Sequence, residues 1–212
     1  MIKALIFDCW GTLFANSQKP HPFTIFAERL GYDIRDRVFL KPFERHLMTN
    51  ENDISRNVVN LLNELNIEPE EKLTHELSSL IIGSIETQIA FPDTLAILDD
   101  LRKKYRLILL SNTFKEGFSN LDNNYHLKSW FELIVLSYKE GTVKPNKILY
   151  EKILSESHLT PDEVMMIGDN YDDDILAANA VSINGILLDR ADRYPDISTN
   201  KDSNLEQLKK CL

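Results

Sequence analysis

Five short apolar runs punctuate the chain: Ile2–Phe7, Leu107–Leu110, Leu133–Leu136, Val164–Ile167 and Ile183–Leu188. Each is continuous rather than alternating, as expected of strands buried on both faces. Helical spacing fills the segments between the last four. Strands alternating with helices build a parallel sheet with helices on both sides. Thr160-Pro161-Asp162-Glu163 carries a helix-start pattern: a capping Thr, Pro at the first helical position and Glu three residues after the cap. Pro92 and Asp93 open another helix, with Leu95, Leu98 and Leu101 on one face. Asn146 to Leu154 places Ile148, Leu149, Ile153 and Leu154 at helical spacing, and Asp172 to Ala180 reads as a helix with an Ala-rich second half.

Residues from about Ala15 to Phe91 follow a different pattern and contain no convincing strand. Phe23, Ile25, Phe26 and Leu30 predict a first helix, with Gly31 just past its end. Ile54, Val58, Val59, Leu61, Leu62 and Leu65 form a helical stripe. Leu73, Leu77, Leu80 and Ile81 form another after Pro69. Three or four helices are therefore expected to follow the first strand before the βα alternation resumes. The predicted fold is α/β: a Rossmann-like parallel sheet flanked by helices over 1–14 and 92–212, with an inserted α-helical cap over 15–91. The tail from Asp192 is polar, though Leu205 and Leu208 are placed to anchor a last helical turn.

Composition narrows the range of functions. Lys and Arg total 24 against 33 Asp and Glu, a formal net charge of −9. With 43% hydrophobic and 27% charged residues, the 212-residue chain has the balance of a folded globular protein. Its length suits one compact domain, or a core with a smaller inserted module. An acidic chain is poorly suited to general nucleic-acid binding, which needs a basic face to neutralise phosphates. A local site can still oppose the net charge and take a small anion. Cys9 and Cys211 imply two reduced thiols rather than a disulfide framework. The opening MIKALIFD is too short an apolar core for a signal peptide, and no stretch approaches the roughly 18 apolar residues of a membrane span. The expectation is a cytoplasmic monomer or homodimer with neither nucleic-acid nor membrane partners.

In an open α/β sheet, ligands bind beyond the carboxyl ends of the strands. The first run ends at Asp8, followed by Cys9-Trp10-Gly11-Thr12-Leu13-Phe14. The second ends in Ser111-Asn112-Thr113. Gly141-Thr142-Val143-Lys144-Pro145 follows the third. The fourth ends in Gly168-Asp169-Asn170, followed by Tyr171-Asp172-Asp173-Asp174. Taken singly, each of these has an ordinary explanation as a helix cap, a loop or a solvated charge. Together they offer a nucleophile, an anion clamp and a cation site.

These four motifs, in this order and spacing, resemble the haloacid dehalogenase-like hydrolases. The helical insertion straight after the first motif is similar to the cap of the haloacid dehalogenase and phosphoglycolate phosphatase branch. The resemblance implies that Asp8 is a nucleophile forming an aspartyl intermediate that water hydrolyses. It implies that Lys144 holds the charge on Asp8 and on the reacting group. Ser111, Asn112 and Lys144 would bind the substrate, Ser111 through its hydroxyl and neighbouring backbone N–H groups. Mg²⁺ would be held by Asp8, the Trp10 backbone carbonyl and Asp169, since a hard cation takes oxygen ligands. Asp173 or Asp174 would support the site, with Asp174 the better fit to the family spacing. Asn170 would orient Lys144 or Asp169, and Thr12 would hydrogen-bond near the nucleophile. Asp172 reads as a solvated charge at a helix terminus.

One position departs from the pattern. Phosphatases of this superfamily usually read Asp-x-Asp in the first motif, the second Asp being the general acid and base. Here that position is Trp10, whose indole N–H only donates. General acid–base assistance is typically worth about 10²–10⁴ in rate. The dehalogenase branch, similar to D-x-Y-G-T-L-F in this motif, needs no such acid because halide leaves without a proton. It also needs no Mg²⁺, has fewer acids in its fourth motif, and uses an arginine from the cap region, where Arg35, Arg37, Arg45 and Arg56 are available. The acids around Asp169 favour a Mg²⁺-dependent phosphatase acting on a small phosphorylated metabolite. Metal-independent 2-haloacid dehalogenation and phosphometabolite binding without turnover are the alternatives. His21, His46 and Glu44 lie in the cap segment as stand-ins for the missing acid, and Phe23 and Phe43 read as cap core.

Overall fold

The computed structural model describes residues 1–211, with side chains through Leu208; the Cys211 thiol lies outside the described residues. The expected parallel sheet is present. It contains β1 (Ala4–Phe7), β4 (Arg106–Ser111), β5 (Leu133–Leu136), β6 (Val164–Gly168), β7 (Asn184–Leu188) and β8 (Lys201–Asp202), in the order β5-β4-β1-β6-β7-β8. Every pairing in it is parallel. From β1 the chain moves outward through β4 and β5, then returns to β6 on the other side of β1. This reversal leaves a crevice at the carboxyl ends of the central strands. Phe7 pairs with both Leu109 and Ile167, so the residues that follow these strands emerge side by side.

Alternate residues of each strand feed two cores, as the two-residue period of a strand requires. Leu5, Phe7, Leu107 and Leu109 pack with α5 (Thr94–Leu101), α6 (Lys115–Tyr125) and α10 (Leu205–Cys211). Ala4, Ile6, Ile108 and Leu110 pack with α8 (Lys147–Ser157) and α9 (Ala177–Asn179) on the other face. Leu205 and Leu208 are fully buried, so the polar tail is pinned as expected. Two expected apolar contacts differ. Leu95 and Ile148 face solvent at 39% and 57% exposure, while Ile97 and Tyr150 take the inward positions.

A third apolar cluster is built on the four inserted helices, α1 (Pro22–Arg29), α2 (Arg37–Met48), α3 (Ile54–Glu64) and α4 (Glu71–Glu86). Asp36 and Asp53 cap α2 and α3 by accepting from Val38 N and Arg56 N. Phe114, which follows β4, inserts into this cluster and brings its ring within 6.2 Å of Phe23.

Three local expectations are corrected. Thr160–Glu163 forms its capping box but supports only a 3₁₀ turn over Pro161–Glu163, because Val164 immediately enters β6. Asp172–Ala180 is not one α-helix; a π-helical turn spans Tyr171–Leu176, with α9 only after it. The insert does contain strand: β2 (Phe14–Asn16) pairs antiparallel with β3 (Gln88–Ala90) where the chain leaves and rejoins the core. Among the described residues, no helix is long and apolar enough to cross a membrane.

Candidate active site

Asp8 sits one residue beyond β1, still tied to the sheet by its N–H donating to Ile167 O at 2.9 Å. Lys144 reaches it from beyond α7 (Ser137–Glu140), which follows β5. Its Nζ donates to Asp8 Oδ1 and to Asp174 Oδ1, both at 2.6 Å and both buried. The Asp174 carboxylate also accepts from Asn170 N through Oδ2. Carboxylate oxygens of Asp8, Asp169 and Asp174 all lie within 4.8 Å of one another. Asp8 Oδ2, Ser111 Oγ and Thr12 Oγ1 are buried without a hydrogen-bond partner. Unpartnered buried polar atoms are costly, and since Asp8 opens onto a cleft, its free Oδ2 points toward a ligand.

The loop after Asp8 is closed by Gly11 N donating to Phe14 O and by Leu13 N and Phe14 N donating to Cys9 O. Gly11 has φ +83°, and a Cβ there would fall 2.1 Å from Asp169 Oδ2. Glycine is required both by the positive φ and by the approach of the carboxylate.

Asp8 and Asp174 share the buried ammonium of Lys144, and Asp169 beside them pairs with the half-exposed Arg193, so carboxylates exceed buried cations in the cluster. Burial pushes Asp8 up to about 6 against the pull of Lys144, with Asp169 adding repulsion. Burial does the same to Asp174, again opposed by Lys144. Asp169 rises to about 6 through burial and the Asp174 charge. Burial also opposes the charge on Lys144, but Asp174 and Asp8 overcome it and hold the ammonium well above its ordinary value. An ion pair ordinarily lowers a carboxylate; here burial outweighs the pull of Lys144, and repulsion between the carboxylates adds to the rise. Burial likewise drives the Cys9 thiol well up, consistent with an inert thiol.

Asp8 and Asp169 lead into a cleft of about 730 Å³, lined also by Trp10, Lys144, Asp173 and Phe114. The all-oxygen donor set, its excess negative charge and the unpartnered Asp8 Oδ2 fit a hard divalent cation. Asp174 is committed to Lys144 and Asn170 N, which leaves Asp8 and Asp169 as the carboxylates for such an ion.

The sequence-derived site residues line the cleft with some changes of partner, except Ser111 and Thr12, which are fully buried and do not reach it. Asn112 lines the cleft, but both ends of its amide are engaged by the Lys144 backbone, at 2.8 and 3.3 Å. Asn170 hydrogen-bonds neither the Lys144 side chain nor Asp169. Its side chain accepts from Asp172 N and Asp173 N and donates to Asp173 Oδ2, capping the π turn. Thr12 is buried, and its carbonyl accepts from Arg190. Asp172 is exposed, as expected. Trp10 is half-buried and packs against the core as well as lining the cleft.

Of the three insert residues proposed as acids, His21 and Glu44 line the cleft, whereas His46 turns to Glu64 at 2.6 Å. Phe43 is buried in the insert's core, and Phe23 both contacts it and faces the cleft. Arg35 and Arg45 pair with Asp33 and Glu64, and neither they nor Arg37 nor Arg56 line the cleft. The arginines that do are Arg190 and Arg193, which sequence reasoning missed. Arg190 pairs with Asp93 and lies 4.1 Å from the Phe91 ring centroid. Arg193 donates to both the carboxylate and the carbonyl of Asp169.

A parallel α/β sheet with this constellation at its switch point has the architecture of a hydrolase. The model of the haloacid dehalogenase-like hydrolases matches residues 2–182, and the chain belongs to that family. It is 33% identical over 101 residues to a glyceraldehyde 3-phosphate phosphatase of Methanothermobacter thermautotrophicus, a match spanning 46% of this chain and 44% of that one. A second enzyme of that name, from Methanopyrus kandleri, is 23% identical over 97% of this chain and 91% of its own. Solved structures of similar fold include a HAD phosphatase from Thermococcus onnurineus (TM-score 0.67, 18% identity, 99% of this chain and 97% of that one). They also include L-2-haloacid dehalogenase from Xanthobacter autotrophicus (TM-score 0.67, 17% identity, 99% and 98%). The fold is thus common to both chemistries and does not choose between them.

Proposed function

We propose that the chain is a Mg²⁺-dependent phosphatase acting on a small phosphorylated metabolite through an aspartyl-phosphate at Asp8. The observation that carries this reading is the cluster of Asp8, Asp169 and Asp174 carboxylates beside the buried Lys144 ammonium, with Asp8 Oδ2 unpartnered. A halide-releasing site would gain nothing from that negative excess, and no arginine of the insert lines the cleft. The phosphatase names of the matched relatives point the same way.

In this reading, Lys144 fixes Asp8 through Oδ1 and aims it at phosphorus. Ser111 Oγ and adjacent backbone N–H groups receive a phosphoryl oxygen. Asp8 and Asp169, with the Trp10 carbonyl, would hold Mg²⁺, which neutralises charge between carboxylate and phosphate. Asp174 and Asn112 keep Lys144 in place from its side chain and its backbone. The division into a catalytic core, 1–14 and 92–212, and a cap, 15–91, belongs to the same proposal and rests on the separate apolar cluster of the four inserted helices.

The test is p-nitrophenyl phosphate hydrolysis with Mg²⁺ and then with EDTA, for wild type and Asp8→Asn. That leaving group needs little protonation, so the absence of an acid at position 10 does not limit its departure. The expected result is Mg²⁺-dependent release that Asp8→Asn abolishes without unfolding the protein. Halide release from a 2-haloacid in EDTA would replace this reading with dehalogenation, and Mg²⁺-dependent phosphate affinity without turnover would replace it with binding.

A further inference from the structure

Trp10, on the core side of the cleft, has a side chain that cannot exchange a proton, so any acid and base must come from another cleft residue. Asp8 is the nucleophile of the proposed reaction, Asp169 is reserved for the cation, and Asp174 is locked to Lys144. Asp173 is held by Asn170 Nδ2 at 3.0 Å. His21 uses Nδ1 to cap its own helix, accepting from Phe23 N at 3.1 Å, and burial lowers its proton affinity further. Glu44 remains. Helix α2 buries Phe39, Phe43 and Leu47 in the insert and turns Glu44 and Met48, one turn apart, toward the cleft. Glu44 is half-buried and makes no hydrogen bond or ion pair among the described residues.

We infer that Glu44 is the general acid and base of this site, delivered from the insert in place of the residue lost at position 10. The inference rests on the phosphatase reading above. Burial and the facing Asp173 carboxylate push Glu44 up to about 7, where a carboxyl is well matched to both halves of the task. In the first half, Asp8 attacks phosphorus, the P–O ester bond breaks, and the Glu44 proton passes to the departing oxygen to give the alcohol. In the second, the Glu44 carboxylate takes a proton from water as that water attacks phosphorus. The Asp8–phosphorus bond then breaks, releasing phosphate and restoring both carboxyls.

The experiment is rapid-mixing kinetics of wild type, Glu44→Gln and Asp8→Asn with Mg²⁺, on p-nitrophenyl phosphate and on an alkyl phosphate. Circular dichroism serves as the check on folding. Glu44→Gln is expected to give a stoichiometric burst of p-nitrophenolate at near the native rate, because that leaving group departs as an anion. Steady turnover should then fall about 100-fold or more, because the base for the second half is missing. The alkyl phosphate should show the same or larger loss with no burst. Native turnover of both esters by Glu44→Gln would overturn the inference. So would loss of the burst in step with turnover. Wild type releasing nothing from either ester would instead defeat the phosphatase reading, and the inference with it.

Discussion

Arg193 clasps Asp169 twice, at the side chain through Oδ2 and at the backbone through the carbonyl oxygen, from 24 residues further along the chain. Its guanidinium therefore occupies the same carboxylate that the proposed cation would use. Half-exposed ion pairs are worth about 0–1 kcal/mol, which corresponds to no more than about fivefold in affinity. Arg193→Ala is expected to tighten Mg²⁺ binding by about threefold to fivefold at pH 8, read by titration calorimetry. Unchanged or weaker binding would mean that Arg193 yields to the ion without competing.

The acidic cluster makes its own contribution to stability. Asp169 has a native pKa raised to about 6, above its unfolded value of 3.8. Between these values the native state holds a proton that the unfolded chain has released. Its contribution to stability therefore falls as pH rises from about 4 to about 6, and stays low above that. In EDTA, Asp169→Asn should match wild type near pH 4 and exceed it by about 1–2 kcal/mol at pH 7, measured by urea unfolding. A variant that is less stable at pH 7 would show that the Arg193 pair outweighs the burial of the charge.

Trp10 offers a third test. With Glu44 carrying the proton, Trp10→Asp alone should change alkyl phosphate turnover little. In the Glu44→Gln background it should restore turnover by about tenfold or more, since it returns a carboxyl to the core side of the cleft. The comparison of single and double variants separates supply of the proton from damage to packing, because Trp10 also contacts the core.

Much of this site could be read from the sequence, for a physical reason. Asp8, Ser111, Lys144 and Asp169 each follow a continuous apolar run, and a parallel sheet brings the ends of such runs together. The inserted helices were legible because their stripes are apolar at helical spacing, as in Val58, Leu61 and Leu62. Other features carry no local signal. Strands β2 and β3 are three residues each and exist only through each other. Arg193 lies in a polar stretch without periodicity, and its meaning depends on Asp169 in space. Asn170 looked like a partner for Lys144, but the turn it caps has nearer N–H groups to satisfy. Glu44 stands with His21 and His46 among the candidate acids of the insert; only the rotation of α2 sets it apart from His46, two positions on.

The paired strands Phe14–Asn16 and Gln88–Ala90 have a bearing on how such a chain diversifies. Because Phe14 lies opposite Ala90, everything between them leaves and returns through neighbouring points. A foreign insert of quite different length could be grafted onto the same two strands and would leave Asp8, Ser111, Lys144 and Asp169 where they stand. Recognition and chemistry would then be inherited from separate stretches of the gene. A core that has Trp10 and borrows its proton from Glu44 has given up that independence: its insert can no longer be exchanged without taking half of the reaction with it.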